Sequence, residues 1–554
     1  MAIARLWRTL SHLKPSQLGY LFVRRVLRHP RSVAAPKQVD LRSNLKPLKL
    51  VPAAPVVFDG PLRVRFLNVE RLIDEEIPWH EAGLSKLWRY NLHYFEWHRQ
   101  AALDAGLRDR LIADWLVRNP PGVGDGWEPY PLSLRLVNWA ALLSASPVQT
   151  NPQREWVESF AHQAAWLAAS VEYHVQANHL FENAKALVFA GLVLDGPFGK
   201  LLLEKGLALT LREARAQHLS DGGHFERSPM YHDIVLRGLL ELLAAARDHS
   251  ALFPSAWVAD ISEIAERALK WSLMMRMPDQ EIALFNDAAF GVAPSWSDIQ
   301  DFADRYCGLA GIDSSSTSSP LLVLPASGYF GAILDQERLV IDCGDLGPAY
   351  QPGHGHCDLL SFECVHQGQR LFIGAGNYDY LDSPERGYAR SSAARNTVSL
   401  ENDEQSELWG AFRVGRRALV GAAEARLVQG ERFSFKGEYR GFSENKVCHR
   451  RMINYRAGAE LEINDELNAP TAVNASTRLR IGPQFQLRHE HGTFTVVDAQ
   501  GQGVASIDHY GMERVDIEQG WYFPEFGLKQ KIEVVLGQIT VPTTRLFGWR
   551  ISFN

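Results

Sequence analysis

Cysteine is scarce in this chain. Its 554 residues contain five: Cys307, Cys343, Cys357, Cys364 and Cys448. The number is odd and the spacing offers no paired metal ligands, so no disulfide framework is expected and a reducing compartment fits better. No apolar run reaches membrane-spanning length, and no uninterrupted apolar core of a secretion signal stands near residue 1. The expected location is therefore the cytoplasm or the cytoplasmic face of a membrane, with the periplasm left open. Neither sign of charge dominates: 58 Lys and Arg stand against 64 Asp and Glu, a net charge of −6. That balance gives no reason to expect nucleic acid as a partner. An anionic substrate would need locally placed cations. No sequence repeat of fixed period is found.

Residues 1–32 break the charge balance. They hold Arg5, Arg8, Lys14, Arg24, Arg25, Arg28 and Arg31 and no acid, interleaved with Leu6, Trp7, Leu10, Leu13, Leu18, Tyr20, Leu21, Phe22 and Val23. Such a basic amphipathic segment suits peripheral contact with an anionic membrane. The plainer reading is a helix packed on the protein's own surface. The 15 tryptophans, 16 tyrosines and 26 phenylalanines could stack on sugar rings, although core packing accounts for most of them.

The length exceeds one ordinary core, so two or more domains are expected. Residues 33–80 are proline-rich and suggest a wrapping linker. From about 84 to 320 apolar residues recur at helical spacing: Leu87 to Trp97, Leu132 to Leu143, then near 153–170, 180–193, 199–217, 230–248, 258–276 and 297–309. After the serine-rich stretch Asp313 to Ser319 the period becomes two, with strands at Leu321–Leu324, Tyr329–Leu334, Leu339–Cys343, Leu359–Cys364 and Arg370–Ile373. Gln367-Gly368 forms a hairpin turn between the last two. Later runs continue the pattern: Phe433–Tyr439, Arg450–Tyr455, Glu460–Asn464, Phe494–Val497 and Lys531–Val535. The expected division is an N-terminal basic segment over 1–45, a helical domain over 46–320 and a strand domain over 321–554. Proteolysis is expected near 310–320, around Ser314-Ser315-Ser316. Serial helical hairpins indicate an (α/α) toroid and the strands an antiparallel β-sandwich, an α + β multidomain chain.

Three polar clusters are dense in acid–base side chains. They are Asn178-His179-Leu180-Phe181-Glu182-Asn183, the run Asp221 to His232, and His354-Gly355-His356-Cys357-Asp358. Far apart in sequence, they suggest one cleft between two domains. His93, His224, His232, Arg135 and Arg227 are further candidates to line it. Each cluster has a plain alternative. Asn178 could cap a helix, His179 and Glu182 could form a surface pair, Tyr231 could pack, and His354 could bond its own turn.

At Asn178–Asn183, Asp221–His232, Gly353–Glu363 and Arg390–Leu400 the chain resembles the heparinase II/III family of polysaccharide lyases. Leu13-Lys14-Pro15-Ser16-Gln17 looks like members encoded with surface-polysaccharide synthesis. The resemblance implies an N-terminal (α/α) toroid, a C-terminal β-sandwich, and β-elimination on an acidic, uronate-containing polysaccharide. It implies that Asn178 binds the substrate carboxylate, that His179 and Glu182 contact the uronate, and that Tyr231 and His354 serve as acid and base. Many relatives bind zinc in the sandwich. His356 holds the place of one ligand, but Gly374 and Arg395 stand where the other two are expected. No metal or other cofactor is therefore expected. Arg395 would supply a fixed cation there, paired to Asp358 or Asp379, and Cys357 with Asp358 is a poor substitute site because neighbours on a strand face opposite sides. Two rival readings stay open. One is a glycoside hydrolase using two of Glu182, Asp221, Glu226 and Asp233. The other is a non-catalytic glycan-binding protein.

Overall fold

The computed structural model describes the chain except for residues 1, 28–29, 31, 38, 54–62, 74–76, 101–102, 104, 146–150, 313–318, 429–431, 443–445 and 491. The serine-rich stretch expected to divide the domains thus lies almost wholly outside the described residues. On its near side is the last helical segment, Ala303–Cys307, and on its far side the strand Leu321–Leu324.

The first half is helix-rich. Its longest helices are Pro129–Ala145, Asn151–Ser170, Ala177–Val193, Gly196–Gln217, Pro229–Asp248 and Ser255–Met274. Ala177–Val193 is buried along almost its whole length: its second half, from Ala186, is all apolar or small, while its first half buries Asn178, Glu182, Asn183 and Lys185. It forms a tight hairpin with Gly196–Gln217. A Cβ on Gly206 would lie 2.6 Å from the Val188 amide nitrogen, and one on Gly191 would lie 2.4 Å from that of Leu203. Glycine at both places lets the two backbones touch. The helix Ala105–Arg118 was not expected.

The second half is antiparallel sheet. One five-stranded sheet runs in chain order through Leu321–Leu324, Tyr329–Leu334, Glu337–Asp342, Phe362–His366 and Gln369–Phe372. The expected hairpin at Gln367-Gly368 is present, with both residues in the left-handed region. Leu359, expected to open a strand, instead lies in the turn before Phe362, where Leu360 takes φ 59°. An eight-stranded sheet begins with Leu419–Val428, Arg432–Arg440, Cys448–Arg456 and Glu460–Asn468, and the half also holds a four-stranded sheet and the short pair Leu408–Trp409 and Arg413–Val414. In Arg432–Arg440 every second residue is buried, so one face meets the core and the other meets water. Phe330, Leu339 and Ile341 share one core with Phe433, Phe435, Ile453 and Ile463, so the sheets pack face to face.

Two loops of the helical half seat against the sheet half. Asp221 accepts from the Ser327 amide at 2.7 Å and its hydroxyl at 3.0 Å. Asn286 donates its amide to Asp358 at 2.7 Å. Residues 2–25 form two helices, Ala2–Leu10 and Pro15–Arg25, which lie across both halves. Gln17 donates to the carbonyls of His174 and Tyr350, 3.3 Å each. Among the described residues no helix is long and apolar enough to cross a membrane.

Candidate active site

Ser228 caps the helix Pro229–Asp248. Its hydroxyl accepts the Tyr231 amide at 3.1 Å and donates to the Asp287 carbonyl at 2.5 Å. Pro229 suits the first helical turn because it has no amide hydrogen to leave unpaired. The cap fixes Tyr231 one turn into the helix, facing the sheet half. There its ring stacks on His354, with centroids 3.9 Å apart and planes 8° from parallel. Its phenol meets that of Tyr380 at 2.9 Å. A helical tyrosine thus touches a histidine and a tyrosine of the sheet half.

Glu226 ties the cluster together. One carboxylate oxygen lies 2.5 Å from His354 Nδ1, and the other accepts from Asn178 Nδ2 at 3.0 Å. Burial pushes the Glu226 carboxyl up, but His354 and the Asn178 amide outweigh it and bring it to about 2. With Nδ1 held by a carboxylate, Nε2 is the His354 nitrogen left for a substrate. Tyr231 moves the other way: burial, with Tyr380 adding, holds its phenol well above the ordinary tyrosine range.

Asn178 does not cap its helix. The cap position is Gln176, and the Asn178 amide turns to Glu226 instead. Its buried Oδ1 has no partner among the described residues. His179 and Glu182 do not pair with each other. His179 Nδ1 lies 3.2 Å from Glu172, and its ring lies 4.3 Å from that of Tyr130. Burial lowers the His179 pKa, but Glu172 outweighs it and the net shift is upward. Glu182 sits a turn deeper and is fully buried, with Lys185 Nζ at 2.8 Å.

The other candidates serve the core or the seam. His93 accepts from the Trp115 indole at 3.1 Å, and Arg135 bonds Gln163 and the carbonyls of His93 and Gly126. His232 Nδ1 accepts the His224 amide, and His224 Nε2 meets Gln217. Arg227 donates to the carbonyls of Ala326 and Ser327. Of the four acids considered for hydrolysis, Asp233 is tied to Arg276 and Ser272, and Asp221 to Ser327. Glu182 pairs with Lys185 and Glu226 with His354. Sequence reading missed Tyr380, Phe412, Arg386 and Asp287. Arg386 pairs with the buried Asp287 through both carboxylate oxygens and lies beneath the rings of Tyr380 and Phe412, 5.1 and 5.3 Å from their centres. The only sequence signal was the cap Ser383-Pro384 that opens the helix carrying Arg386.

The donors around His356 do not fit zinc. Its Nε2 meets Asp287 at 2.7 Å and its Nδ1 is taken by the Arg395 guanidinium. Arg395 is held by His356 and by the carbonyls of Leu284 and Ala389, which corrects the expected pairing with Asp358 or Asp379. Asp358 accepts from Asn286, and Asp379 from Ser383. A Cβ at Gly374 would lie 2.8 Å from both Arg395 Nη1 and Glu363 Oε1. Glycine therefore leaves room for the guanidinium. Among the described residues no three His, Cys, Asp or Glu side chains are grouped to hold a metal. The purified protein should carry no stoichiometric zinc, and Gly374→Asp with Arg395→His should gain it. Metal analysis showing about one tightly held zinc per wild-type chain would overturn this.

Residues 66–306 match the family model for the heparinase II/III N-terminus, and residues 316–546 match that for the heparinase II/III-like C-terminal domain. The heparin-sulfate lyase of Pedobacter heparinus is 24% identical over 355 residues, 57% of this chain and 52% of the relative. That of Bacteroides thetaiotaomicron is 26% identical over 339 residues, covering 52% and 47%. The chain thus spans about half the length of these curated relatives. Among solved structures, a crystal structure of heparinase III superposes with a TM-score of 0.71 at 16% identity, covering 87% of this chain and 80% of that one. Heparan sulfate lyase HepC from Pedobacter heparinus gives 0.59 at 17% identity, covering 88% and 80%. At these identities the superpositions establish a shared fold. With a helical half and a sheet half each matched along most of its length, the chain belongs to the heparinase II/III-like family.

Proposed function

We propose that the chain is a polysaccharide lyase that cleaves a uronic-acid-containing bacterial polysaccharide by β-elimination. The observation that carries this reading is the joining of Asn178, Glu226, His354 and Tyr231 into one cluster at the seam of the two halves. The C5 proton of a uronate lies next to a carboxylate and is very weakly acidic, so charge building on that carboxylate must be stabilised. Asn178 has two amide hydrogens. Glu226 takes one and the substrate carboxylate takes the other. His179, whose pKa Glu172 raises, adds charge of the right sign when protonated. Glu182, paired with Lys185, has only an indirect part in shaping this wall.

His354 Nε2 takes the C5 proton. The C–H electron pair becomes the C4=C5 double bond, the C4–O4 bond breaks, and Tyr231 gives its phenolic proton to O4. Burial keeps that phenol protonated, which suits a proton donor and leaves the base role to His354. The cycle closes when the His354 proton returns to the Tyr231 phenolate. Phe412, half exposed beside Tyr380, offers a flat face to a sugar ring. A hydrolase would need two free carboxylates across the sugar, whereas the four considered are all engaged.

The test is mass spectrometry of products from uronate-containing polysaccharides. A dehydrated, unsaturated end is expected; a hydrated end would refute elimination. Glu226 acts through His354 as a positioning residue, so Glu226→Gln should cost about 10²–10⁴ in kcat with KM little changed. An equal rise in KM with kcat intact would mean that Glu226 serves binding instead.

A further inference from the structure

Residues 4–27 turn their oily sides away from the protein. In Ala2–Leu10 the polar side docks: Arg5 and Arg8 pair with Glu407, and Thr9 Oγ1 accepts from the Trp409 indole at 3.1 Å. Leu6, Trp7 and Leu10 share the opposite side, and Trp7 is 70% exposed. In Pro15–Arg25 the buried residue is Gln17. Leu18, Phe22 and Val26, each four apart on the other side, include exposures of 55% for Phe22 and 60% for Val26. An amphipathic helix on a globular protein normally does the reverse and buries its apolar stripe. Two consecutive helices inverted in this way leave an apolar surface of the kind that marks an interaction site.

Charge indicates what covers it. Residues 1–32 contain no Asp or Glu, although the chain as a whole carries −6. Two arginines are spent on Glu407, while Arg25 is exposed beside the apolar stripe. A second copy of the chain docked on this face would bring two acid-free cationic segments together, which is unfavourable. An anionic surface would be attracted.

We propose that this segment docks on an anionic lipid bilayer, with Leu6, Trp7, Leu10, Leu18, Phe22 and Val26 in the boundary between headgroups and acyl chains. Arg25 then meets lipid phosphates. The polar sides stay on the protein, so docking holds the whole molecule, cleft included, at the membrane surface.

The experiment is co-sedimentation of the full chain with phosphatidylcholine vesicles that do or do not contain about 30% phosphatidylglycerol. Binding is expected to the anionic vesicles only, and to weaken when salt rises from about 0.1 M to about 0.5 M. Trp7→Ser combined with Phe22→Ser should weaken binding about tenfold or more. Arg25→Glu should weaken it about fivefold or more. The melting temperature should hold in both variants, because these side chains face outward. Absence of binding, equal binding to neutral vesicles, or variants that bind as well as wild type would overturn the proposal. So would a concentration-dependent dimer that Trp7→Ser with Phe22→Ser dissolves while vesicles are ignored, since that face would then serve self-association.

Discussion

Tyr231→Phe should lower kcat by about 10²–10⁴ on a substrate that the wild type cleaves. The substitution removes one oxygen and keeps the ring stacked on His354. Its structural cost is the lost bond to Tyr380, about 1 kcal/mol, so the protein should fold and bind as before. The loss should fall on kcat rather than KM. The wild type adds a second readout. An acid whose pKa is raised stays protonated to higher pH, so activity should not decline in the ordinary phenol range near about 10 on account of Tyr231. Formation of unsaturated uronate, followed by ultraviolet absorbance across pH for Tyr231→Phe, His354→Ala and wild type, checks both. Near-normal elimination by Tyr231→Phe would sink the assignment of the acid.

The largest effect on stability is expected at Asp287. Its carboxylate is fully buried and answers both Arg386 and His356. Asp287→Ala would strand a buried guanidinium and leave His356 between two arginines, a loss of about 3–5 kcal/mol. Replacing the pair together, Asp287→Leu with Arg386→Met, should recover much of it, because apolar groups of similar size carry no uncompensated charge. Urea unfolding of both variants is the measurement, and a loss below about 1 kcal/mol for Asp287→Ala would show that the pair is not a tie. The pH dependence follows with a definite sign. Burial pushes the Asp287 carboxyl up, but Arg386 and His356 outweigh it and hold it below the usual carboxylate range. Its contribution is therefore complete above the unfolded value near about 4 and is lost as pH falls through the lower folded value. Acid should loosen the seam between the halves, and Asp287→Ala should flatten that limb of the stability curve.

Much of the architecture was legible in the residues. The period of apolar side chains separates a helical first half from a stranded second half, and Gln367-Gly368 marks its hairpin because both residues accept left-handed backbone. Strands with weak alternation, such as the largely exposed Leu419–Val428, left little trace. At the site, Asn178, Tyr231 and His354 could be named because motif spacing survives in sequence. Glu226 was visible only as one acid among several, and Tyr380 and Asp287 were not visible at all. Their importance comes from what they touch across the seam.

The sequence by itself determined the element types, the family and the residue types available for proton transfer, since each depends on side chains near one another along the chain. Tertiary structure decided the partnerships. Glu226 came to bond His354 across the seam, Arg395 settled on His356 rather than Asp358, and His93 and Arg135 went into the core. It also decided that the helices at 2–25 present their polar sides inward, because Glu407, His174 and Tyr350 offer hydrogen-bond partners that no local pattern could reveal. Pairings between residues hundreds of positions apart are fixed by how two halves close on each other, and periodicity along the chain carries no record of that closure.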